Sequence, residues 1–135
     1  MPGLALSASG PLSPDVVWER YARPALWSTW APQISRVEVA TQRLAGGETG
    51  RVFGPLGFGV DFRVDAWDEA ERVWSWTVRP RPPAWPSAPS PRLNLRHGVE
   101  PEGDGTRTWL LVSGFAPYVL AYLPVARLAL RRLVH

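Results

Sequence analysis

The fold is decided near the end of the chain by an uncharged stretch, TWLLVSGFAPYVLAYLPVA, which covers residues 108–126. Its length alone would suffice to span a bilayer. Residues 114–117, GFAP, interrupt it with helix-breaking residues. The part before them is rich in strand-forming residues, and the part after them has apolar residues at helical spacing. We therefore predict a buried strand over 106–113, then a helix, and no transmembrane segment.

The terminal helix is predicted over residues 117–134, with Arg127 and Arg131 on its solvent side. At about 100° per residue, the opposite and buried side carries Tyr118, Tyr122, Val125, Ala129 and Leu133. Pro124 lies nearer the solvent side and removes one backbone donor, so we expect a kink or a restart of the helix there. The pattern indicates a long helix that buries one face.

Upstream of this helix, apolar residues recur at every second position, which is typical of half-buried strands. The clearest case is the segment 60–64, which a polar turn separates from the tryptophan-rich segment 72–78, so the two are predicted to form a hairpin. We predict about seven strands, near residues 4–8, 35–39, 50–53, 60–64, 72–78, 93–99 and 106–113.

Two short helices are predicted between the first and second strands. Ser13 has the character of an N-cap, Pro14 suits the first helical position, and Asp15 favours the positive first turn. This helix must end by residue 23, because a proline follows. A second helical turn over 25–30 places Trp27 and Trp30 on one side.

Residues 80–91 hold six prolines, at positions 80, 82, 83, 86, 89 and 91, around Trp85. Proline cannot donate a hydrogen bond in a central strand, so we predict a long exposed connection between two strands. The role of this connection stays open.

Composition excludes several classes of protein. With 135 residues, 45% of them hydrophobic, the chain is predicted to form a single domain over 1–135. It has no cysteine and two histidines, so we expect no disulfide, thiol nucleophile, metal site or cofactor. All 15 basic residues are arginines scattered between acidic neighbours, which does not favour a nucleic-acid partner. The N-terminus lacks a basic flank and a long apolar run, so we expect a cytoplasmic protein.

The order of these elements is that of an α+β helix-grip fold, and several short motifs resemble the START-like (SRPBCC) superfamily, in particular its bacterial polyketide cyclase/dehydrase-like branch. The motifs are SPD at 13–15 followed by VW at 17–18, WSTWAP at 27–32, Gly50 with GP at 54–55, WSW at 74–76, HGVE at 97–100 and GT at 105–106. The resemblance implies a curved antiparallel sheet wrapped around the C-terminal helix. It also implies a hydrophobic cavity between them that holds a lipid, polyketide, sterol or similar molecule, and it supplies no universal catalytic motif.

His97 is the candidate for chemistry within this cavity. It alternates with polar residues and shares a face with Leu93, Leu95 and Val99, which should be the concave face of the sheet. As the one histidine away from the terminus, it could exchange a proton with an enolisable ligand near neutral pH. Alternatively, it hydrogen-bonds a tyrosine or a backbone carbonyl inside the wall.

The other candidates supply apolar surface and hydroxyl groups. Large rigid rings suit a planar guest, and a tyrosine hydroxyl suits a bound carbonyl or phenol. The alternative is that the tryptophans are ordinary core, which would look the same in the sequence, and that the tyrosines pack structurally with satisfied hydroxyls, which is the more common role. The predicted ligand-binding residues are Trp27, Trp30, Phe62, Trp76, Leu95, His97, Tyr118, Tyr122 and Val125.

Three functions stay open at this stage. The first is binding of a hydrophobic small molecule. The alternative is a polyketide cyclase/aromatase-like enzyme in which His97 and Tyr122 transfer protons. A third is docking to a membrane or a protein through the arginines near the C-terminus and the Trp85 loop. Homodimerisation through a sheet edge is also left open.

Overall fold

The computed structural model describes residues 3–55, 59–80, 92–114 and 116–135, with the side chain of Tyr118 left out. In chain order the elements are β1 (Leu4–Gly10), α1 (Pro14–Ala22), a 3-10 turn (Pro24–Leu26), α2 (Trp27–Trp30), β2 (Arg36–Val39), β3 (Thr49–Phe53), β4 (Gly59–Asp68), β5 (Val73–Pro80), β6 (Leu93–Glu102), β7 (Gly105–Gly114) and α3 (Ala116–Val134). This order confirms the predicted fold.

Within that part of the chain, the strands form one seven-stranded antiparallel sheet in the order β1-β7-β6-β5-β4-β3-β2. From β2 to β7 each strand pairs with the next strand in sequence, and β1 pairs with β7, from Leu4 opposite Val112 to Gly10 opposite Thr106. The two edges of the sheet are therefore β1 and β2. Because β7 leads directly into α3, the helix returns across the concave face of the sheet.

Local sequence explains where α1 begins and ends. The Ser13 hydroxyl accepts a hydrogen bond from the Val16 amide at 3.3 Å, and Pro14 occupies the first turn, as the N-cap pattern predicts. Arg23 is extended and ends the helix ahead of Pro24. The short turn and α2 that follow bury Trp27 and Trp30.

The inward faces of the strands follow the predicted alternation. In β6, Leu93, Leu95, His97 and Val99 are buried while the residues between them, apart from Gly98, are exposed. In β5 the buried positions are Trp74, Trp76 and Val78. These side chains form the wall that faces α3.

Helix α3 differs from its prediction in two respects. A kink or a restart was predicted at Pro124, and the helix runs through this residue without a restart. Pro124 and Leu120, whose carbonyl loses its donor, are both exposed, so water can replace that bond. Its buried stripe also includes Ala126 rather than Val125, which is only half-buried. Leu128 is exposed beside the arginines, so the arginines alone do not mark the centre of the solvent side. The buried stripe is therefore rotated about the helix axis relative to the predicted one.

The C-terminal end of α3 is fixed by hydrogen bonds to its carbonyl groups. The Arg20 guanidinium donates to the carbonyls of Arg132 and Leu133 at 2.9 and 2.7 Å, and the Leu12 amide donates to that of Val134 at 3.3 Å. These carbonyls have no partner within the helix, and a cation here favours the negative end of the helix dipole. The helix is thereby held against α1 and the end of β1.

Candidate functional site

A cavity of about 250 Å³ lies between the concave face of the sheet, α2 and α3. Its wall is almost entirely apolar. The described residues that line it are Trp27, Trp30, Gln33, Ile34, Val52, Gly54, Gly59, Val60, Trp74, Trp76, Val78, Pro80, Leu93, Leu95, His97, Leu110, Tyr122, Ala126, Ala129 and Leu130. No charged side chain belongs to this part of the wall.

Gly54, Gly59, Pro80 and Leu93 line the cavity and stand close in sequence to the segments 56–58 and 81–91. The segments themselves lie outside the described residues. The predicted proline-rich connection around Trp85 is thus outside them too, apart from Pro80.

The structure brings most of the predicted ligand-binding residues together. Trp27 and Trp30 come from α2, Trp76 from β5 and Leu95 and His97 from β6; Tyr122 faces them from α3, and all six line the cavity. The side chain of Tyr118 lies outside the described residues.

Phe62 and Val125 do not line the cavity. The Phe62 ring is buried behind Trp27 and Trp76, with its centroid 5.7 and 5.6 Å from theirs, so these two indoles separate it from the open space. Val125 lies on the flank of α3, and Ala126 takes its place at the wall. Phe62 and Val125 depart from the prediction because of side chains packed around them, and residue periodicity within one strand or helix does not reveal those contacts.

Two polar residues of the wall, Trp74 and Gln33, were not predicted as binding residues. Trp74 shares a face with Trp76 in β5, so strand alternation was a sufficient signal for it. Gln33 lies between α2 and β2, outside any regular element, and nothing in the sequence distinguishes it. Its position depends on how that connection is folded.

His97 belongs to a directed chain of hydrogen bonds. The Trp76 indole donates to His97 Nε2 at 3.0 Å, and His97 Nδ1 lies 3.2 Å from the Tyr21 hydroxyl. The Tyr21 hydroxyl lies 2.7 Å from Thr108 Oγ1, and Thr108 donates to the Gly98 carbonyl at 3.0 Å.

The two ends of this chain fix the tautomer of the imidazole. An indole N–H only donates, so Nε2 carries no proton; a carbonyl only accepts, so the Thr108 proton points at Gly98 and Thr108 accepts from Tyr21. The Tyr21 oxygen then accepts from His97 Nδ1–H. Every proton in the chain has an assigned place, and the imidazole is neutral.

Burial reinforces this state. His97 is 4% exposed, and burial lowers the pKa of its imidazole to about 3, while burial raises the pKa of the Tyr21 phenol. The Trp74 ring stacks on the imidazole at a centroid distance of 4.9 Å and an interplanar angle of 15°. At neutral pH both ring nitrogens of His97 are engaged in the wall.

Three other polar groups on wall residues have no hydrogen-bond partner among the described residues. They are Trp74 Nε1, Gln33 Oε1 and the Tyr122 hydroxyl, of which the first two are fully buried atoms. Tyr122 as a whole is only half-buried, yet burial raises the pKa of its phenol to about 12. The cavity is therefore apolar with a few uncharged polar points.

No three histidine, cysteine or carboxylate side chains in the described ranges gather so that they could hold a metal ion. No helix within residues 3–55, 59–80, 92–114 and 116–135 combines the length and hydropathy needed to cross a membrane.

A sheet that grips a terminal helix, with an apolar cavity between the two, defines a protein of the START-like (SRPBCC) superfamily. The chain belongs to the family described as polyketide cyclase / dehydrase and lipid transport, which matches residues 3–134. The resemblance inferred from the motifs is thereby confirmed. No curated protein matches the sequence.

Solved structures of the same fold share little sequence with this chain. A protein from Nitrosospira multiformis superposes with a TM-score of 0.75 at 19% identity, covering 98% of this chain and 94% of that one. Ara h 8.0201 gives a TM-score of 0.74 at 13% identity, with 98% and 94% covered. DynU16, a protein of the dynemicin biosynthetic locus, gives 0.67 at 18% identity, with 94% of this chain and 45% of that chain covered. At such identities the similarity shows the fold alone.

Proposed function

We propose that this protein binds a hydrophobic small molecule, such as a lipid, a polyketide or an aromatic polycycle, in the cavity between the sheet and α3. The observation that carries the proposal is the unfilled space of about 250 Å³ behind a wall of aromatic and aliphatic side chains. Protein interiors are normally close-packed, so an empty space of this size lowers the stability of the fold. A bound guest would fill the space and offset that loss. Membership of a family described by lipid transport and polyketide chemistry supports the same role.

Burial of apolar surface would supply the affinity. A guest that buries about 300 Å² of apolar surface gains about 7 kcal/mol at roughly 25 cal/mol per Å², before the cost of ordering the guest is subtracted. Binding in the micromolar range or weaker follows without any charged contact. The indoles of Trp27, Trp74 and Trp76 pack on one another at centroid distances of 5.1–6.0 Å, which makes their surface rigid.

The alternative role, a cyclase-like enzyme that moves protons through His97, has less support. Trp76 occupies Nε2, and the pKa of about 3 leaves the imidazole a weak base at neutral pH. The Tyr122 hydroxyl, which lacks a partner among the described residues, is the one group in favour of it. If a ketide substrate is converted, His97→Gln and Tyr122→Phe should abolish turnover while affinity stays within a few-fold.

Filling the cavity is expected to abolish binding. Ala126→Phe places a ring inside the wall, so the affinity for a two-ring aromatic probe such as 2-naphthol should fall at least tenfold, measured by isothermal titration calorimetry. Ala121→Phe is the matched control, because Ala121 is exposed on the same helix. Equal affinities for the two variants, at wild-type strength, would place the guest elsewhere and overturn the proposal.

A further inference from the structure

The outer face of α3 carries three arginines without an acidic partner. On other elements arginines pair with carboxylates, as Arg43 does with Glu69 at 2.7 Å. The side chains of Arg127, Arg131 and Arg132 form no ion pair or hydrogen bond with any described residue. All three are exposed. This face of the helix therefore presents positive charge that the described part of the protein does not balance.

The elements around α3 do not supply the missing negative charge. Residues 105–135 contain no aspartate or glutamate, so neither β7 nor α3 itself carries an acidic side chain. Helix α3 packs chiefly against β1, β7, α1 and α2, and of the remaining three only α1 has acidic residues, Asp15 and Glu19. Asp15 is paired with Arg72, and Glu19 with Arg43 at 2.6 Å. A fixed negative charge that meets the α3 arginines must come from another molecule.

The helix dipole accounts for only part of this arrangement. A cation favours the negative C-terminal end of a helix, but the effect falls off within the last turn. Arg131 and Arg132 lie in that turn. Arg127 lies about two turns before Val134, the last residue of α3. The dipole therefore gives no reason for a cation at Arg127.

Exposed leucines share this face with the arginines. Leu120 is 62% exposed and Leu128 is 45% exposed. At about 100° per residue, Leu120 lies between Arg127 and Arg131 around the helix axis, and Leu128 lies roughly 40° from Arg132. The face thus offers hydrocarbon and positive charge together. This combination is typical of helices that lie in the interface of a membrane.

The size and chemistry of the face favour a lipid surface over another macromolecule. A helix of 19 residues is about 28 Å long and about 10 Å wide, so its outer face covers roughly 300 Å². A stable protein interface buries about 800 Å² on each partner. A nucleic acid would pair with the arginines and leave the leucines in water. The headgroup region of a bilayer supplies anionic groups and hydrocarbon at the same place.

We infer that the outer face of α3, made of Leu120, Arg127, Leu128, Arg131 and Arg132, docks the protein on a bilayer that contains anionic lipids. The arginines contact the headgroups, and the leucines enter the boundary with the acyl chains. Each arginine near an anionic surface strengthens binding about fivefold, so the contact is reversible. The cavity lies on the opposite side of α3, so the inference does not depend on the proposed function.

Vesicle flotation with the full chain tests this docking. The probes are vesicles of phosphatidylcholine alone and vesicles in which about one lipid in three is phosphatidylglycerol. We expect binding to the anionic vesicles to be at least about tenfold tighter than to the neutral ones. Raising the salt from about 0.05 to about 0.5 M should weaken it by a similar factor. Equal binding to both kinds of vesicle, or binding to neither, would overturn the inference.

A triple variant assigns the binding to α3. Arg127→Gln, Arg131→Gln and Arg132→Gln together should weaken binding to the anionic vesicles at least about tenfold. The matched control replaces, also by glutamine, three exposed arginines of β4, β5 and β6, which are Arg63, Arg79 and Arg96. It removes the same charge and should stay within about threefold of the wild type. An equal loss in the two variants would show that net charge alone acts, which contradicts a docking face on α3.

A fluorescent dye reports whether the leucines enter the bilayer. The chain has no cysteine, so Leu120→Cys gives a single labelling site for the environment-sensitive dye NBD. Anionic vesicles should shift the emission of this dye to the blue. The control is Leu111→Cys, an exposed position on β7, where no shift is expected. Equal shifts at the two positions, or none at Leu120, would place another surface on the membrane.

Two further measurements separate this inference from its alternatives. Polyglutamate and duplex DNA stand for an acidic protein and a nucleic acid; if either binds more tightly than the anionic vesicles, the face serves that class of partner and the inference is overturned. The affinity of the triple arginine variant for 2-naphthol should stay within about twofold of the wild type, because the cavity is unchanged. Loss of vesicle binding and loss of the cavity guest are thus distinguishable results.

Discussion

The free energy of unfolding is expected to fall as the pH drops below about 6.5, because His97 is neutral in the folded protein and becomes charged in the unfolded chain. Burial lowers the folded pKa of His97 to about 3 from an ordinary value of 6.5. A lowered histidine pKa means that the unfolded chain binds the extra proton, so acid favours unfolding. The loss should approach about 1.4 kcal/mol per pH unit and total roughly 4 kcal/mol by pH 3.

Carboxylates act at lower pH and can be separated from this effect. A hydrogen bond from Arg43 lowers the pKa of Glu19. Burial alone would raise the pKa of Glu69, but hydrogen bonds from Trp67, Trp18 and Arg43 outweigh the effect of burial, so the pKa of Glu69 is lowered as well. Their stabilisation is present above the ordinary carboxyl pKa of 4.5 and is lost only as the pH falls below it. The window between pH 6.5 and 4.5 therefore reports on His97.

Urea unfolding followed by tryptophan fluorescence at pH 7.5, 6.5, 5.5 and 4.5 measures this dependence. His97→Gln should flatten it in that window, because a glutamine can accept from Trp76 and donate to Tyr21 without titrating. His135→Gln is the matched control and should keep the wild-type slope, since His135 is exposed at the C-terminus. A flat wild-type profile, or an equal slope in His97→Gln, would contradict the buried neutral imidazole.

Replacing Gly10 by alanine is expected to destabilise the protein by about 3 kcal/mol, because the end of β1 touches the end of α3. A Cβ on Gly10 would lie 2.7 Å from the Val134 carbonyl carbon and closer still to its oxygen. Both are backbone atoms held by the Leu12 amide, so they cannot move aside as a flexible side chain can. The seat of α3 against the sheet should be lost or shifted.

Gly46→Ala is the control for that substitution, because nothing lies within 4 Å of a Cβ at Gly46. Its effect on the free energy of unfolding should stay within about 0.5 kcal/mol. Urea unfolding at pH 7.5 compares the two variants directly. Similar stabilities would mean that β1 and α3 do not meet as closely as described.

Most of the fold could be predicted from residue patterns within single helices and strands. Alternation in β6 placed His97 with Leu95 on the inner face, and the cap at Ser13 with the prolines that follow fixed both ends of α1. These features depend on neighbours a few residues away, so the sequence reveals them directly. The family match agrees with the predicted superfamily, and the structural similarity to Ara h 8.0201 agrees with the predicted helix-grip fold.

The parts that could not be predicted depend on contacts between distant elements. Phe62 faces inward as alternation requires, yet Trp27 and Trp76 cover it. His97 is hydrogen-bonded to Trp76 and Tyr21, which are 21 and 76 residues away along the chain. The protonation state of His97 therefore could not be predicted from the sequence of its own strand. Gln33 owes its place at the cavity to an irregular connection, for which hydrophobic periodicity gives no signal.

A crystal structure under xenon pressure would decide whether α3 closes over the sheet while leaving space between them. Xenon enters empty apolar cavities, so we expect a xenon atom between Trp76 and Leu95 on the sheet and Ala126 on α3. A crystal in which side chains fill that space, or in which xenon binds only elsewhere, would contradict the cavity and the binding function that depends on it.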